Sequence, residues 1–240
     1  MIGRFYREVA IQPVGTGWQV MLDGRGVKTV AGAPQIVPTQ GLGQALAGEW
    51  ARQGEKIDPA SLPLRDMADY ALDIAARDTA AAARALSAYG DTDTLCYRAD
   101  PDEPLFPRQI ELWEPLIESF EKRYDVRLVR VSGVIHRAQD PAVLAVLEAS
   151  MTAQNAFVLA GLETMTRLAA SLVTGLLAIE THEREGAIKL WQAVCLEEEW
   201  QASLWGRDAE AEERRARREA DFLRAWQFTR LALNQSASRP

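Results

Sequence analysis

Residues 17–29 read Gly17-Trp18-Gln19-Val20-Met21-Leu22-Asp23-Gly24-Arg25-Gly26-Val27-Lys28-Thr29, and their reading decides the fold class. Trp18, Val20 and Leu22 alternate with Gln19 and Met21, the period-two pattern of a strand with one buried face. Asp23-Gly24 comes next, and both residues tolerate the positive φ of a tight hairpin turn. Val27-Lys28-Thr29-Val30 returns as the partner strand. Upstream, Val9 and Ile11 alternate with polar or small neighbours, and Gly15-Thr16-Gly17 is a turn. Downstream, Ala31-Gly32-Ala33-Pro34 turns again before the short strand Gln35-Ile36-Val37. A sheet this small buries too little apolar surface to stand alone, so it is expected to pack on the segments C-terminal to it.

From Thr39 onward the pattern is helical. Thr39 is the N-cap, and Leu42, Leu46 and Trp50 stand at i, i+4 and i+8. Trp50, beside the β-to-α junction, reads as a structural anchor rather than a contact for a partner. Gly54 ends that helix, Asp58-Pro59 and Pro63 punctuate a loop, and residues 64–89 form an Ala-rich helix. Pro101, Pro104 and Pro107 mark another connection. Helices are expected over 106–124 and 141–151, the second with Asp140 as N-cap and Pro141 at its first position. Residues 126–134 alternate enough to be a strand or an extended link. Helical patterns over 157–180, 183–205 and 208–233 complete the chain, and 234–240 reads as a disordered tail. The expected class is α+β: a small N-terminal antiparallel β domain (1–40) followed by a larger all-helical domain (41–233).

Composition narrows the function. The chain has 240 residues, 48% hydrophobic and 25% charged, enough for a substantial core. Its net charge of −7 argues against nucleic-acid binding, which needs an excess of Lys and Arg on one face. The longest apolar run, 168–179, is broken by Ser171, Thr174 and Gly175 and falls short of the ~20 residues that span a bilayer, so no stable membrane insertion is expected. The start of the chain shows no apolar signal core and no Arg/Ser-rich leader, which points to work in the compartment of synthesis. Cys96 and Cys195 lie outside any metal-ligand spacing and read as reduced, partly buried thiols.

No catalytic constellation emerges. The chain has no GxSxG, HExxH, P-loop or GxGxxG pattern. His136 and His182 have no neighbour in sequence at metal or triad spacing, and each reads as a surface or capping residue. Asp91-Thr92-Asp93 has the form of a magnesium-binding DxD, but it comes after a helix, where such residues more often satisfy free backbone amides. No metal and no cofactor are expected. Residues 207–219 carry five arginines and five acids. Glu210 with Arg214 and Glu213 with Arg217 stand at i, i+4 in the favourable order, the mark of a solvated helix face.

Glu198 is the most informative residue. On a continuous helix over 183–205, Ala187, Trp191, Val194, Cys195, Ala202 and Trp205 form one stripe, and Glu198 falls near its middle. A carboxylate on an apolar face needs a partner. Two readings stay open: an internal pair with an arginine such as Arg65, Arg84 or Arg167, or an acid held for another protein.

Taken in order, several segments resemble one known family. They are Arg4-Phe5-Tyr6, Leu22-Asp23-Gly24-Arg25, Val27-Lys28-Thr29, Glu49-Trp50, Gln53-Gly54-Glu55, Ile57-Asp58-Pro59 and Pro63-Leu64. Asp93, Leu95-Cys96-Tyr97-Arg98, Leu196-Glu197-Glu198-Glu199-Trp200-Gln201 and Trp205-Gly206 complete the series. Over residues 4–206 the chain resembles the F1-ATPase α-subunit assembly chaperones; their pattern has an aromatic at position 200, which Trp200 satisfies. The resemblance implies a β domain followed by a helical one. It also implies a task without catalysis: binding the free α subunit of F1 ATP synthase, masking its β-facing surface, and leaving during assembly. Glu198, Glu197, Glu199 and Trp205 are the expected client-binding residues. The chain is expected to be a monomer in the bacterial cytoplasm, with the mitochondrial matrix as the counterpart for organellar members. The competing readings are a metal-dependent enzyme using Asp91, Asp93 and Glu198, and a general helical scaffold or adaptor. The first reading predicts that the isolated protein neither hydrolyses ATP nor needs it to bind its client. A steady-state ATPase assay checks this: saturable, metal-dependent turnover abolished by changing Asp91 or Asp93 would reject it.

Overall fold

The protein's computed structural model describes residues 2–133 and 135–233, so the expected tail at 234–240 lies outside the described residues. Contacts divide the chain into two compact units. Among the described residues the first comprises 2–79, 155–161 and 227–233; the second comprises 80–154 and 162–226. The class is α+β, as expected.

In the first unit, β1 (Val9–Val14), β2 (Gly17–Leu22), β3 (Arg25–Gly26) and β4 (Ile36–Val37) form one antiparallel sheet. Strand β2 is central: it pairs with β1 from Val9↔Leu22 to Val14↔Gly17, and with both β3 and β4 on its other edge. The turn at Asp23-Gly24 has φ of 47° and 75°, the left-handed pair that the sequence demands there. Gly17 is needed for a different reason: a Cβ on it would come within 2.6 Å of Ile36 Cγ2 and of the Val37 carbonyl. The expected strand at 27–30 is reduced to an isolated bridge, Lys28↔Pro34.

Helix α1 (Gln40–Ala51) covers the sheet and buries Leu42, Leu46 and Trp50. Thr39 caps it, accepting from Leu42 N at 3.1 Å while donating to the Leu231 carbonyl at 2.7 Å. Trp50 is met edge-on by Tyr6, whose hydroxyl donates to the Trp50 carbonyl at 2.7 Å. The N-terminal arm is held further by Arg4, which donates to the Gln53 carbonyl at 2.7 Å and lies over the Tyr6 ring.

The expected continuous helix over 64–89 is interrupted. It consists of α2 (Pro63–Tyr70), a π-helical stretch (Ala71–Ala75) and, after a break, α3 (Thr79–Asp91). The widening has a partner: Asp73 accepts from Thr29 Oγ1 at 2.8 Å and from Ala31 N at 3.0 Å. The start of α2 lacks a side-chain cap of its own. Glu49 of α1 supplies one, accepting from Leu64 N at 2.8 Å and Arg65 N at 3.0 Å. Burial of this carboxyl pushes it up to about 7.

The second unit holds the rest of α3, α4 (Phe106–Tyr124) and α5 (Pro141–Thr152). It continues with residues 162–169 of α6 (Ala156–Ala169), then α7 (Leu172–Glu180), α8 (Arg184–Val194) and α9 (Leu196–Trp205). Residues 209–226 of α10 (Ala209–Leu233) complete it. The region is not all helical: β5 (Tyr97–Arg98) and β6 (Val131–Ser132) pair in parallel. Ion pairs tie them to α4. Arg98 and Arg130 reach Glu114 at 2.5 and 2.7 Å, and Arg130 and Arg127 both meet Glu121. The core is built on α4, where Trp113 is fully buried and donates to the Ala193 carbonyl at 2.7 Å.

Asp93 is fully buried and joins two chain segments. It accepts from Leu95 N (3.0 Å), Ser171 Oγ (2.8 Å) and Val173 N (2.8 Å), so it caps a 3-10 turn (Thr94–Cys96) and the start of α7 together. Ala170, with φ of 47°, makes the turn before α7 that splits the expected helix over 157–180. Burial raises Asp93 to about 6. Asp91 serves other neighbours, accepting from Gln139 N at 2.7 Å and lying 3.3 Å from His136 Nε2. His136 also meets the Tyr97 hydroxyl at 2.9 Å, a pairing that its sequence neighbours did not reveal.

Because the folded carboxyls of Glu49 and Asp93 titrate above their ordinary values, the folded state binds their protons more tightly than the unfolded chain. Their contribution to stability is full below the unfolded values of 4.5 and 3.8 and is lost as pH rises to about 7 and 6. For Glu49 this loss is about 3–4 kcal/mol, at ~1.4 kcal/mol per pH unit. Denaturant midpoints measured between about pH 4.5 and pH 7.5 should fall more steeply for the parent than for Glu49→Gln. Identical slopes would show that Glu49 ionises at its ordinary value.

Candidate functional site

The expected helix over 183–205 ends early. Cys195 has φ −84° and ψ 6°, which closes α8 and starts α9. No glycine or proline forces the break. A new N-terminus at Leu196 suits Glu197, Glu198 and Glu199, which then occupy the positive first turn of α9. The break also dissolves the expected stripe. Ala187, Trp191, Val194 and Cys195 are buried on α8 and its end, whereas α9 buries no residue at all.

Helix α9 is held instead by polar contacts within the second unit, one set for each glutamate. Glu197 accepts from Gln109 Nε2 at 2.7 Å, and burial lifts its carboxyl above the usual range. Glu198 Oε1 lies 2.6 Å from Arg218 Nη1. Glu199 takes Arg207 at 2.9 Å and Arg215 at 3.1 Å. Arg215 also meets Glu212 and donates to the Glu198 carbonyl at 3.4 Å. Glu198 does pair internally, but with Arg218. The three arginines that the sequence suggested are engaged elsewhere, Arg65 with Asp66 and Asp69, Arg84 with Glu148, and Arg167 with Glu163.

The far end of α9 is apolar and open. Leu204 is 61% exposed and Trp205 81% exposed, just before Gly206 ends the helix with φ of 96°. Trp205, Ala202 and Glu198 line one side of an open cleft of about 380 Å³, and Ala211, Arg214 and Arg218 of α10 line the other. Burial pushes the Cys195 thiol up to about 12, the setting of a structural cysteine. Among the described residues, no group of three or more His, Cys, Asp and Glu side chains could hold a metal ion. No helix among them is long and apolar enough to cross a membrane.

Arg215 and Arg218 do not stand out in the sequence, where 207–219 reads as a solvated face. The outer pairs of that reading are present: Arg214 meets Glu210 and Arg217 meets Glu213. Arg215 and Arg218 stand at i and i+3 from each other, on the side that carries buried Phe222 at i+7. That spacing beneath a run of three glutamates was the available signal.

Known proteins resemble this chain along most of its length. A family model described as ATP12 chaperone protein matches residues 3–121. The crystal structure of Atp12 from Paracoccus denitrificans is 37% identical, with a TM-score of 0.85, covering 96% of this chain and 98% of that one. A crystal structure of an Agrobacterium tumefaciens protein is 31% identical, with a TM-score of 0.86, covering 97% of this chain and 86% of that one. The mitochondrial protein atp12 of Schizosaccharomyces pombe is 25% identical over 223 residues, 88% of this chain and 76% of that protein. Fold and relatives together define an assembly chaperone, not an enzyme. The chain belongs to the ATP12 chaperone family, which serves the assembly of F1-ATPase.

The geometry of α9 makes a stability prediction. Trp205→Ala and Glu198→Gln should each change unfolding free energy by less than about 1 kcal/mol, since one side chain is exposed and the other is in a half-exposed pair. Trp191→Ala, beneath them, should cost about 3–5 kcal/mol. Chemical denaturation of the three variants checks this; equal losses would make α9 part of the cooperative core.

Proposed function

We propose that this chaperone binds the free α subunit of F1 ATP synthase, covers its β-facing surface, and is displaced when β arrives. One observation carries the reading: α9 ends in an exposed Leu204–Trp205 pair beside the half-exposed Glu198. A large aromatic left in water, next to a charged group, is the usual composition of an interaction hot spot. A subunit awaiting its partner exposes an apolar face that would otherwise aggregate. Trp205 and Leu204 offer the apolar contact, and Glu197, Glu198 and Glu199 set register and orientation. The exchange for β needs no nucleotide hydrolysis, because the larger final interface drives it. The work belongs in the compartment where F1 is built, the cytoplasm for a bacterial chain.

Affinity capture from cells that express F1 tests the partner: the α subunit should dominate the bound protein. With purified α subunit, Trp205→Ala should weaken binding by about 2–4 kcal/mol and Glu198→Gln by about 1.5–3 kcal/mol. Capture of many unrelated proteins in place of α would favour a general scaffold. Undiminished binding by both variants would move the client surface away from α9.

A further inference from the structure

Glu198 projects from a helix that buries no residue, so packing does not fix its carboxylate. Arg218 does. Its Nη1 holds Glu198 Oε1 at 2.6 Å, and its Nη2 donates to the Leu168 carbonyl at 3.1 Å. Its guanidinium carbon lies 5.3 Å from the ring centroid of buried Trp191. One side chain thus joins α9 to two fixed points of the second unit. A planar guanidinium can make these three contacts at once; an ammonium cannot. Among the described residues, Glu198 Oε2 takes no hydrogen bond, and Glu198 lines the same cleft as Trp205.

We propose that Arg218 is the positioning residue of the client site. It commits one oxygen of Glu198 and presents the other to the client beside Trp205, without itself touching the client. The inference rests on the reading of α9 as the surface that binds the α subunit. It also narrows the chemistry of the client group. The Glu198–Arg218 pair is neutral, and Asp208 lines the same cleft together with Arg214, paired with Glu210, and Arg215, paired with Glu199 and Glu212. The second oxygen, an acceptor, suits an N–H donor of the α subunit.

The test is a double-mutant cycle on binding to purified F1 α subunit, corrected for the folded fraction of each variant. Glu198→Gln and Arg218→Met should each weaken binding about tenfold or more. The double variant should bind no worse than the weaker single one, because both act through one contact. Arg218→Lys, which keeps charge and most of the bulk, should fall between parent and Arg218→Met. Multiplying losses in the double variant would show that Arg218 contacts the client independently and overturn the proposal. Parental binding by Arg218→Met would overturn it too, as would parental binding by Arg218→Lys if Arg218→Met does not fold. If Glu198→Gln itself binds like the parent, the client role of Glu198 fails, a result distinct from failure of the positioning role alone.

Discussion

Glu49 reaches from α1 to the first two amides of α2 at 2.8 and 3.0 Å, and on this kind of contact both units depend. A helix start buried without a cap would leave several donors unsatisfied. In the first unit, Glu49 fills the place that Leu62 cannot. In the second, Asp93 does the same for a 3-10 turn and for α7 at once. Glu121 adds a third case, accepting from Leu128 N at 2.7 Å while Arg127 and Arg130 neutralise it. Each carboxylate fixes the register of one segment on another, seven residues apart for Glu121 and eighty for Asp93, which a purely apolar contact would leave free to slide. Glu49 and Asp93 are costly to ionise, so they make the fold sensitive to protons, whereas, despite burial, its hydrogen bonds and arginines hold Glu121 below its usual range.

Helix α9 obeys the opposite rule. Its neighbour α8 buries Ala187, Leu190, Trp191, Ala193 and Val194, yet α9 buries nothing. Its first turn is tied down by side-chain pairs, and its last turn shows Leu204 and Trp205 to solvent. The client surface proposed for α9 could not also be core. The chain resolves the conflict by restarting the helix at Cys195, so that a buried helix leads directly into one held by charge.

Much of the fold is legible in the sequence where local chemistry leaves few choices. The Asp23-Gly24 turn, the Thr39 cap, the Asp140-Pro141 helix start and the helix over 106–124 all arise from residues acting on their own backbone. The features that escape depend on distant partners. In the π-helical stretch, Asp73 meets Thr29 and Ala31 across 42 to 44 residues. The β5–β6 pairing joins segments that are two residues long in each strand, too short to show a period. The setting of Glu198 differs from its expected place in an apolar stripe because periodicity assumes an unbroken helix, and nothing between Val194 and Leu196 signals a break. Its partner Arg218 lies twenty residues on, inside a run of charges where alternation hides the two that turn inward.

The clasp on α9 has an inner and an outer tier, and these answer differently to dissolved ions. The Glu199–Arg207 contact is largely exposed, with side-chain exposures of 45% and 59%. The Arg215 side chain is only 14% exposed, and Arg218 rests against the Trp191 ring. At physiological ionic strength, screening acts over about 8 Å and weakens exposed pairs far more than sheltered ones. Rising ionic strength therefore releases Arg207 first and the half-exposed Glu198–Arg218 pair next, while Arg215 holds the start of α9 longest. The connection that follows Trp205 gains freedom before Arg215 lets go, so the apolar end of α9 can shift while its first turn is still held.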